Sequence, residues 1–341
     1  MMEFKEILER LSFSEDLLEE DAEHAMHQIM SGEVSNEQIA GFLTAMRMKG
    51  ETHQELTGFV KVMREKSVKV DVDVKGAVDL VGTGGDKSGT FNISTISSFV
   101  VAGAGVPVIK HNNRSASSKC GSADVLEALG VKIELDAKQV ERAYKEVGIA
   151  FMYAPMFHPA MKYVMPARRA LGFRTFFNIL GPMCNPAGVQ RYVIGAFSKE
   201  VAEKMAHILA NLHTEFAYTF NSHDGLDELS LTARADVYEL KDSVLSMPIL
   251  FDPVSLDLEY RSMADLVGGE ITENAQIFDN ILDNNSTDAQ RDIVLLNAAF
   301  GIQASGKVVG LGEAKILAEE SLESGRAREV FNNYLEVSRN V

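Results

Sequence analysis

Asp227 and Glu228 stand side by side in the run HDGLDE, residues 223–228, just beyond a strand-like segment. Adjacent carboxylates suit Mg2+, a hard cation that takes oxygen ligands, keeps several waters and commonly bridges carboxylates to substrate phosphates. In an acidic chain such a pair is usually surface charge, so its meaning depends on what accompanies it. The stretch VGTGGDKSGTFNIST, residues 81–95, brings four glycines between a strand-like run and a helix-like run. Bare backbone there can turn sharply and present N–H groups to an anion at the positive end of a helix. It reads as a phosphate cradle. It is not a Walker A loop, because Gly89 is followed by Thr90 and not by lysine. Nor is it a dinucleotide fingerprint. Lys87 stands where the third glycine would be, and no acidic residue about 20 positions on could hold a ribose.

A third segment, VPVIKHNNRSASSKCGSADVLEALG, gathers Lys110, Arg114 and Lys119 within ten residues, with Ser115, Ser117, Ser118 and Ser122 among them. The chain as a whole carries a formal net charge of −16. Cations collected in one loop of such a chain point to an anionic ligand. Loops leaving the carboxyl ends of parallel strands meet in one crevice, so a glycine loop and a cationic loop together would enclose a multiply phosphorylated molecule. Pro166-Ala167-Arg168-Arg169 adds two guanidinium groups, which fork carboxylates bidentately. One could orient an acidic acceptor and the other sit in a salt bridge; spacing does not choose between them.

These pieces need elements to hold them. Residues 3–66 read as helices only, with capping boxes at Ser35-Asn36-Glu37-Gln38 and Thr52-His53-Gln54-Glu55, and Gly32 and Gly50 as stops. Ile39, Phe42, Leu43 and Met46 recur at helical spacing. The character changes near residue 70. Strands are expected at 78–81, 106–109, 131–135, 191–197, 216–220 and 236–240. Helices are expected at 93–104 and 123–129, and closing helices at 288–304 and 312–338. Alternating strand and helix implies a mostly parallel sheet covered by helices. Five of eight prolines fall between Pro155 and Pro186, a broken stretch of the kind that crosses between domains and lines a site.

Composition narrows the classes. Strong acidity argues against a nucleic-acid partner. Cys120 and Cys184 lie far apart with no CxxC pattern, which argues against zinc and against a disulfide framework. The N-terminus lacks an apolar signal core, and no run of about 18 apolar residues occurs. A cytoplasmic protein is expected. Fifteen methionines read as core filler.

Taken in order, GTGGD, NIST, KHxNR, SSK, GSADVLEALG, HPAMK, RxxLGxRTxFNxLGPxxNP and DGLDE resemble the anthranilate phosphoribosyltransferase family from about residue 3 to the C-terminus. The resemblance implies a nucleoside phosphorylase-like α/β fold. A small all-helical domain, 1–70, would be joined by helices from about 160–185, and 71–341 would form a larger α/β domain with a mostly parallel sheet. It implies a homodimer paired through the helical part. It implies transfer of the phosphoribosyl group of phosphoribosyl pyrophosphate to anthranilate, with Mg2+ as cofactor. Carried over by position, Gly82, Gly85, Asp86, Thr90, Asn92, Ser94, Thr95, Lys110, Asn113, Arg114, Ser118 and Ser122 fall on donor-binding positions. Gly82, Asn113 and Arg168 fall on anthranilate contacts. Ser94, Asp227 and Glu228 fall on metal ligands. No covalent enzyme nucleophile is expected, because the implied reaction leaves an oxocarbenium-like ribose that needs little nucleophilic push, and anthranilate's neutral amine needs no strong general base.

Two residues depart from the pattern. Asn112 stands where the family has glycine; asparagine tolerates a left-handed backbone, so the loop is expected to survive, with crowding if close ligand approach needs glycine. Cys120 replaces a serine, keeping size and weakening hydrogen bonding. Two other readings remain at this point. A pyrimidine nucleoside phosphorylase would not need the Asp227-Glu228 pair or NIST. A non-catalytic nucleic-acid-binding relative would show extended basic grooves and lost metal ligands.

Overall fold

The computed structural model describes residues 2–115 and 119–341. Four helices come first: α1 (Phe4–Ser12), α2 (Glu19–Met30), α3 (Asn36–Lys49) and α4 (His53–Glu65). Both capping boxes form. The Ser35 hydroxyl accepts from the Gln38 N–H at 3.3 Å, and the Thr52 hydroxyl accepts from the Glu55 N–H at 3.2 Å. Glu55 does more than cap. It is buried, accepts from the Leu17 N–H at 2.8 Å and meets Lys49 Nζ at 2.9 Å, which ties α4 to α3 and to the segment ahead of α2.

The remainder is an α/β unit. Its first half runs β1 (Val78–Gly82), α5 (Ile93–Gly103), β2 (Val108–Asn112), α6 (Ser122–Ala128), α7 (Ala137–Val147) and β3 (Ile149–Tyr153). Short helices α8 (Ala154–Phe157), α9 (Met165–Leu171) and α10 (Phe177–Leu180) break up the proline-rich stretch. The second half runs β4 (Arg191–Gly195), α11 (Lys199–Asn211), β5 (Phe216–Ser222), β6 (Ala235–Lys241), β7 (Val244–Leu245) and β8 (Ile249–Phe251). Helices α12 (Ile271–Leu282), α13 (Asp288–Ala304), α14 (Leu311–Glu323) and α15 (Arg326–Asn340) close the chain.

The sheet order is β3-β2-β1-β4-β5-β6-β7, with β8 also on β6. Strands β1 to β5 are parallel; β6, β7 and β8 are antiparallel. The chain winds outward from β1 through β2 to β3, then returns to the other side of β1 with β4. The order therefore reverses between β1 and β4, and a crevice opens at the carboxyl ends of those two strands.

Each sheet face buries its own core. One face packs Phe99, Phe278, Phe331 and Tyr334 from α5, α12 and α15 against Phe151 of β3. The other face is continuous with the interior of the first four helices. Phe176 joins the two, stacked on Phe59 of α4 at 4.5 Å and edge-on to Phe42 of α3 at 6.1 Å. Helices α9 and α10 thus pack against the helical bundle.

One expected strand fails and one strand goes unforeseen. Residues 131–135 form no strand: Leu135 N–H turns back onto the Ile133 carbonyl at 3.0 Å. Val131, Ile133 and Leu135 are buried while Lys132 and Glu134 are exposed, so the alternation is real but joins no ladder of the sheet. The strand that does lie beside β2 is β3, an almost continuous apolar run that the period-two pattern does not reveal.

Candidate active site

The crevice is built around two glycines. Gly82 ends β1 and Gly195 ends β4, and the two pair in register. Asp227 lies over them. A Cβ on Gly195 would overlap the Asp227 backbone, and one on Gly82 would overlap its carboxylate. Neither glycine has a positive φ. Both are needed here for space, which lets the turn after β5 cross the sheet end.

That turn sorts its three carboxylates. Asp224 accepts from the Leu226 N–H at 3.1 Å and from the Ser230 and Thr232 hydroxyls, which makes it a structural residue of the turn. Asp227 and Glu228 face the crevice. Asp227 Oδ2 accepts from the Gly84 N–H at 2.6 Å, and Glu228 Oε1 accepts from the Ser94 N–H at 3.2 Å. Burial raises both acids above the usual carboxylate range; Asp86 adds to the rise at Asp227, and Asp227 adds to it at Glu228.

One cation faces this charge. Lys110 of β2 is buried, and its Nζ donates to the Leu80 carbonyl and to the Ser94 hydroxyl at 3.3 Å. Desolvation lowers its pKa, opposed by Asp79, Glu228 and Asp227. Asp79 faces the other side of the sheet, taking the Asn185 amide at 2.8 Å and the His111 N–H at 3.3 Å. Burial pushes Asp79 up to about 6.

The residue types fit a divalent cation. Asp227, Glu228 and Ser94 are an all-oxygen set, and a divalent cation would offset the burial that holds both acids above the usual carboxylate range. Among the described residues no three His, Cys, Asp or Glu side chains converge on one point. A cation held here would need the Ser94 hydroxyl and ligand oxygens as well.

The expected loop residues separate. Thr83 N–H bonds the Gly195 carbonyl at 2.9 Å, and the Thr83 hydroxyl takes the Phe197 N–H at 3.1 Å. Asp86 takes the Ser88 hydroxyl, and Thr90 makes an isolated bridge with Val267. Asn92 caps the start of α5 without a side-chain capping bond. Its amide instead donates to the Cys120 carbonyl at 3.2 Å, and the Cys120 thiol donates back to Asn92 Oδ1 at 3.4 Å. Burial pushes that thiol up to about 11, which leaves it un-ionised at neutral pH. Thr95 is buried with its hydroxyl unpartnered.

The cationic loop is less free than its sequence suggests. Arg114 is held by Asp124 and Glu127, each at 2.8 Å, and Lys119 by Glu270 at 2.6 Å. Asp124 takes the Ser115 and Gly121 N–H groups at 3.1 and 2.9 Å, closing the loop ahead of Ser122, the first residue of α6. Asn113 is exposed, its side chain on the Arg114 N–H at 2.8 Å. Ser117 and Ser118 lie outside the described residues.

Arg168 differs from both loop cations. It is half-buried in α9 over the Phe177 ring at 5.3 Å, and desolvation lowers its pKa. Neither Arg168 nor Arg169 enters an ion pair among the described residues, so the salt bridge allowed for one of them does not form. A desolvated guanidinium without a carboxylate is a natural anion receptor.

Asn112 corrects a second expectation. It ends β2 in register with Tyr153, outside the left-handed region, so no glycine is needed for its backbone. Its buried amide has no partner for either polar atom. Several neighbours lie within the quoted motifs without an assigned role. Arg174 donates to the Gly85 carbonyl and stacks over Phe197 at 4.8 Å. His111 and His158 lie with ring centroids 5.0 Å apart.

A helical bundle beside an α/β unit, with a glycine loop at the switch point, is the architecture of a class of glycosyltransferases. Residues 5–67 match the family model described as glycosyl transferase family, helical bundle domain, and residues 74–328 match the a/b domain of the same family. Within that class the chain belongs to the anthranilate phosphoribosyltransferase family. It is 46% identical over 337 residues to the anthranilate phosphoribosyltransferase of Salinibacter ruber, covering 98% of each chain. It is 43% identical over 338 residues to that of Aquifex aeolicus, covering 99% of each. The crystal structure of the Thermus thermophilus enzyme superposes with a TM-score of 0.91 at 38% identity, over 97% of this chain and 99% of that one. The Saccharomyces cerevisiae enzyme in complex with PRPP and Mg superposes with a TM-score of 0.90 at 26% identity, over 99% and 98%.

Proposed function

We infer that this chain transfers the 5-phosphoribosyl group of phosphoribosyl pyrophosphate to the amino nitrogen of anthranilate, releasing pyrophosphate, a step of tryptophan biosynthesis. One observation carries the reading beyond family membership. The glycine loop, Lys110 and the Asp227-Glu228 pair converge on the β1/β4 switch point, and their hydrogen bonds interlock. This arrangement favours the transferase over a nucleoside phosphorylase, which would not require the paired acids.

The chemistry asks for positioning more than for acid–base work. The C1–O bond to pyrophosphate breaks, the C1–N bond to anthranilate forms, and the new ammonium loses one proton. Charge develops on the departing pyrophosphate, so fixed cations and N–H groups aimed at it lower the barrier. In the proposed assignment Lys110 and the loop N–H groups at Gly84, Gly85 and Ser94 meet the donor's phosphates. Arg168 takes anthranilate's carboxylate, which points the amine at C1. Asp227, Glu228 and Ser94 would hold Mg2+, which supplies charge neutralisation to the leaving group when bound. The hydrogen bonds from Gly84 to Asp227 and from Ser94 to Glu228 keep donors and carboxylates paired until a ligand claims them.

The organisation proposed for the rest follows the resemblance: residues 1–70, joined by helices from about 160–185, form the dimer-forming unit of a cytoplasmic homodimer. Exposed Phe13, Leu18 and Met48 on the bundle support it. No helix among the described residues is long and apolar enough to cross a membrane. The paired acids are tested by Asp227→Asn with Glu228→Gln. The double variant should keep its circular dichroism spectrum and lose Mg2+-dependent donor binding by calorimetry. Unchanged binding would refute the metal assignment.

A further inference from the structure

Arg174 is the second arginine of the RxxLGxRTxFNxLGPxxNP run and has no role among those assigned above, yet it grips the centre of the glycine loop. Its guanidinium donates to the Gly85 carbonyl and lies 4.8 Å above the Phe197 ring. Phe197 is itself bound to the loop, its N–H on the Thr83 hydroxyl at 3.1 Å. Three consecutive loop residues are therefore held from three directions: Thr83 by β4, Gly84 by Asp227, and Gly85 by Arg174. Gly85 has φ +78°, and a Cβ there would collide with the Arg174 guanidinium. The glycine thus serves both the turn and the approach of the arginine.

The consequence lies in the peptide plane. In a trans peptide the carbonyl and the following N–H point in opposite directions. Fixing the Gly85 carbonyl on a cation therefore turns the Asp86 N–H away from Arg174. Released, a glycine peptide rotates easily, and a carbonyl facing a phosphate would repel it. Arg174 enters no ion pair among the described residues, so no carboxylate competes for it. Its own carbonyl accepts from Arg47 Nη1 of α3, and Arg47 stacks over Phe173 at 4.7 Å. A chain of contacts runs from the helical bundle to the glycine loop.

We propose that Arg174 is a positioning residue for the phosphoribosyl pyrophosphate loop, acting through the Gly85 carbonyl and braced on Phe197 and Arg47. The proposal rests on the donor assignment made above. Its test compares Arg174→Ala, Arg174→Lys and Phe197→Leu with the unaltered chain. Donor affinity is measured by calorimetry with phosphoribosyl pyrophosphate and Mg2+, without anthranilate; kcat and both KM values are measured separately. Hydrogen bonds to charged groups are about twice as strong as neutral ones, so Arg174→Ala should weaken the donor Kd and KM about 10-fold or more. The anthranilate KM and kcat should stay within about threefold. Arg174→Lys should recover part of the affinity, and Phe197→Leu, which leaves the arginine in place, should show a smaller loss in the same direction. An unchanged donor Kd in Arg174→Ala would overturn the proposal. So would equal losses in kcat and both KM values, or a lysine variant no better than alanine. Failure of the unaltered chain to bind phosphoribosyl pyrophosphate would instead refute the donor assignment itself.

Discussion

Gly195→Ala isolates the geometry on which the proposed metal and donor site depends. Gly195 has an ordinary φ, so alanine is allowed by the backbone and the only penalty is steric. The added methyl would overlap the Asp227 main chain, which cannot swing aside as a flexible side chain would. Relief requires the turn at 226–228 to lift by roughly 1 Å from the end of β4, at an overpacking cost of about 1–3 kcal/mol. Displacements of that size in a positioned site cost on the order of 100-fold in rate. The expected result is a kcat/KM lowered about 100-fold with a higher Mg2+ requirement. The thermal midpoint should fall modestly, by about 2–4 °C for each kcal/mol lost. Gly312→Ala, in the first turn of α14 with open space around it, is the control and should be neutral. Activity and unfolding are read on the same preparations. Wild-type kcat/KM and metal dependence in Gly195→Ala would refute the claim that Asp227 is placed by the paired glycines.

Arg168→Gln should raise the anthranilate KM about 10-fold or more while leaving the donor Kd by calorimetry unchanged, because a charged hydrogen bond of about 1.5–3 kcal/mol is lost; an altered donor Kd instead would move Arg168 to the other substrate. Asn112→Gly should leave activity near wild type, since Asn112 sits in an extended strand with its amide unpartnered; a large loss in steady-state assays would assign that amide a substrate contact. Burial lowers His111 to about 4 and His158 to about 3, so both stay neutral in the folded protein while the unfolded chain takes up protons below about pH 6.5. Their contribution is complete above that pH and is lost as pH falls through 6.5 towards 4 and 3, on the order of 3 kcal/mol each. His158→Gln should flatten the fall of stability between pH 7 and 4 in urea titrations, and a slope parallel to wild type would contradict this.

Local signals carried much of the fold. The capping boxes at Ser35 and Thr52 and the helix beginning at Ile93 form where side-chain chemistry placed them, because caps and helical periodicity act within a few residues. Residues 131–135 misled because alternation reports which side faces the core and not whether a partner strand is present. Strand β3 was hidden for the opposite reason, since burial on both faces erases alternation. In the site, the residue types marked Gly82, Lys110, Asp227 and Glu228 as candidates, and the structure brings these four to one crevice. Which charges stay free was not legible: Arg114 and Lys119 find acids, whereas Arg168 does not. Arg174 stands in the RxxLGxRT run, but its role was not legible, because its partner Gly85 lies 89 residues away in sequence.

The most direct test of the central claim follows anthranilate fluorescence after addition of the protein, phosphoribosyl pyrophosphate and Mg2+, with parallel samples lacking metal and carrying Asp227→Asn with Glu228→Gln. Rapid loss of fluorescence that requires the metal and both carboxylates is predicted. Undiminished fluorescence with the complete mixture, or equal loss in the double variant, would contradict the account.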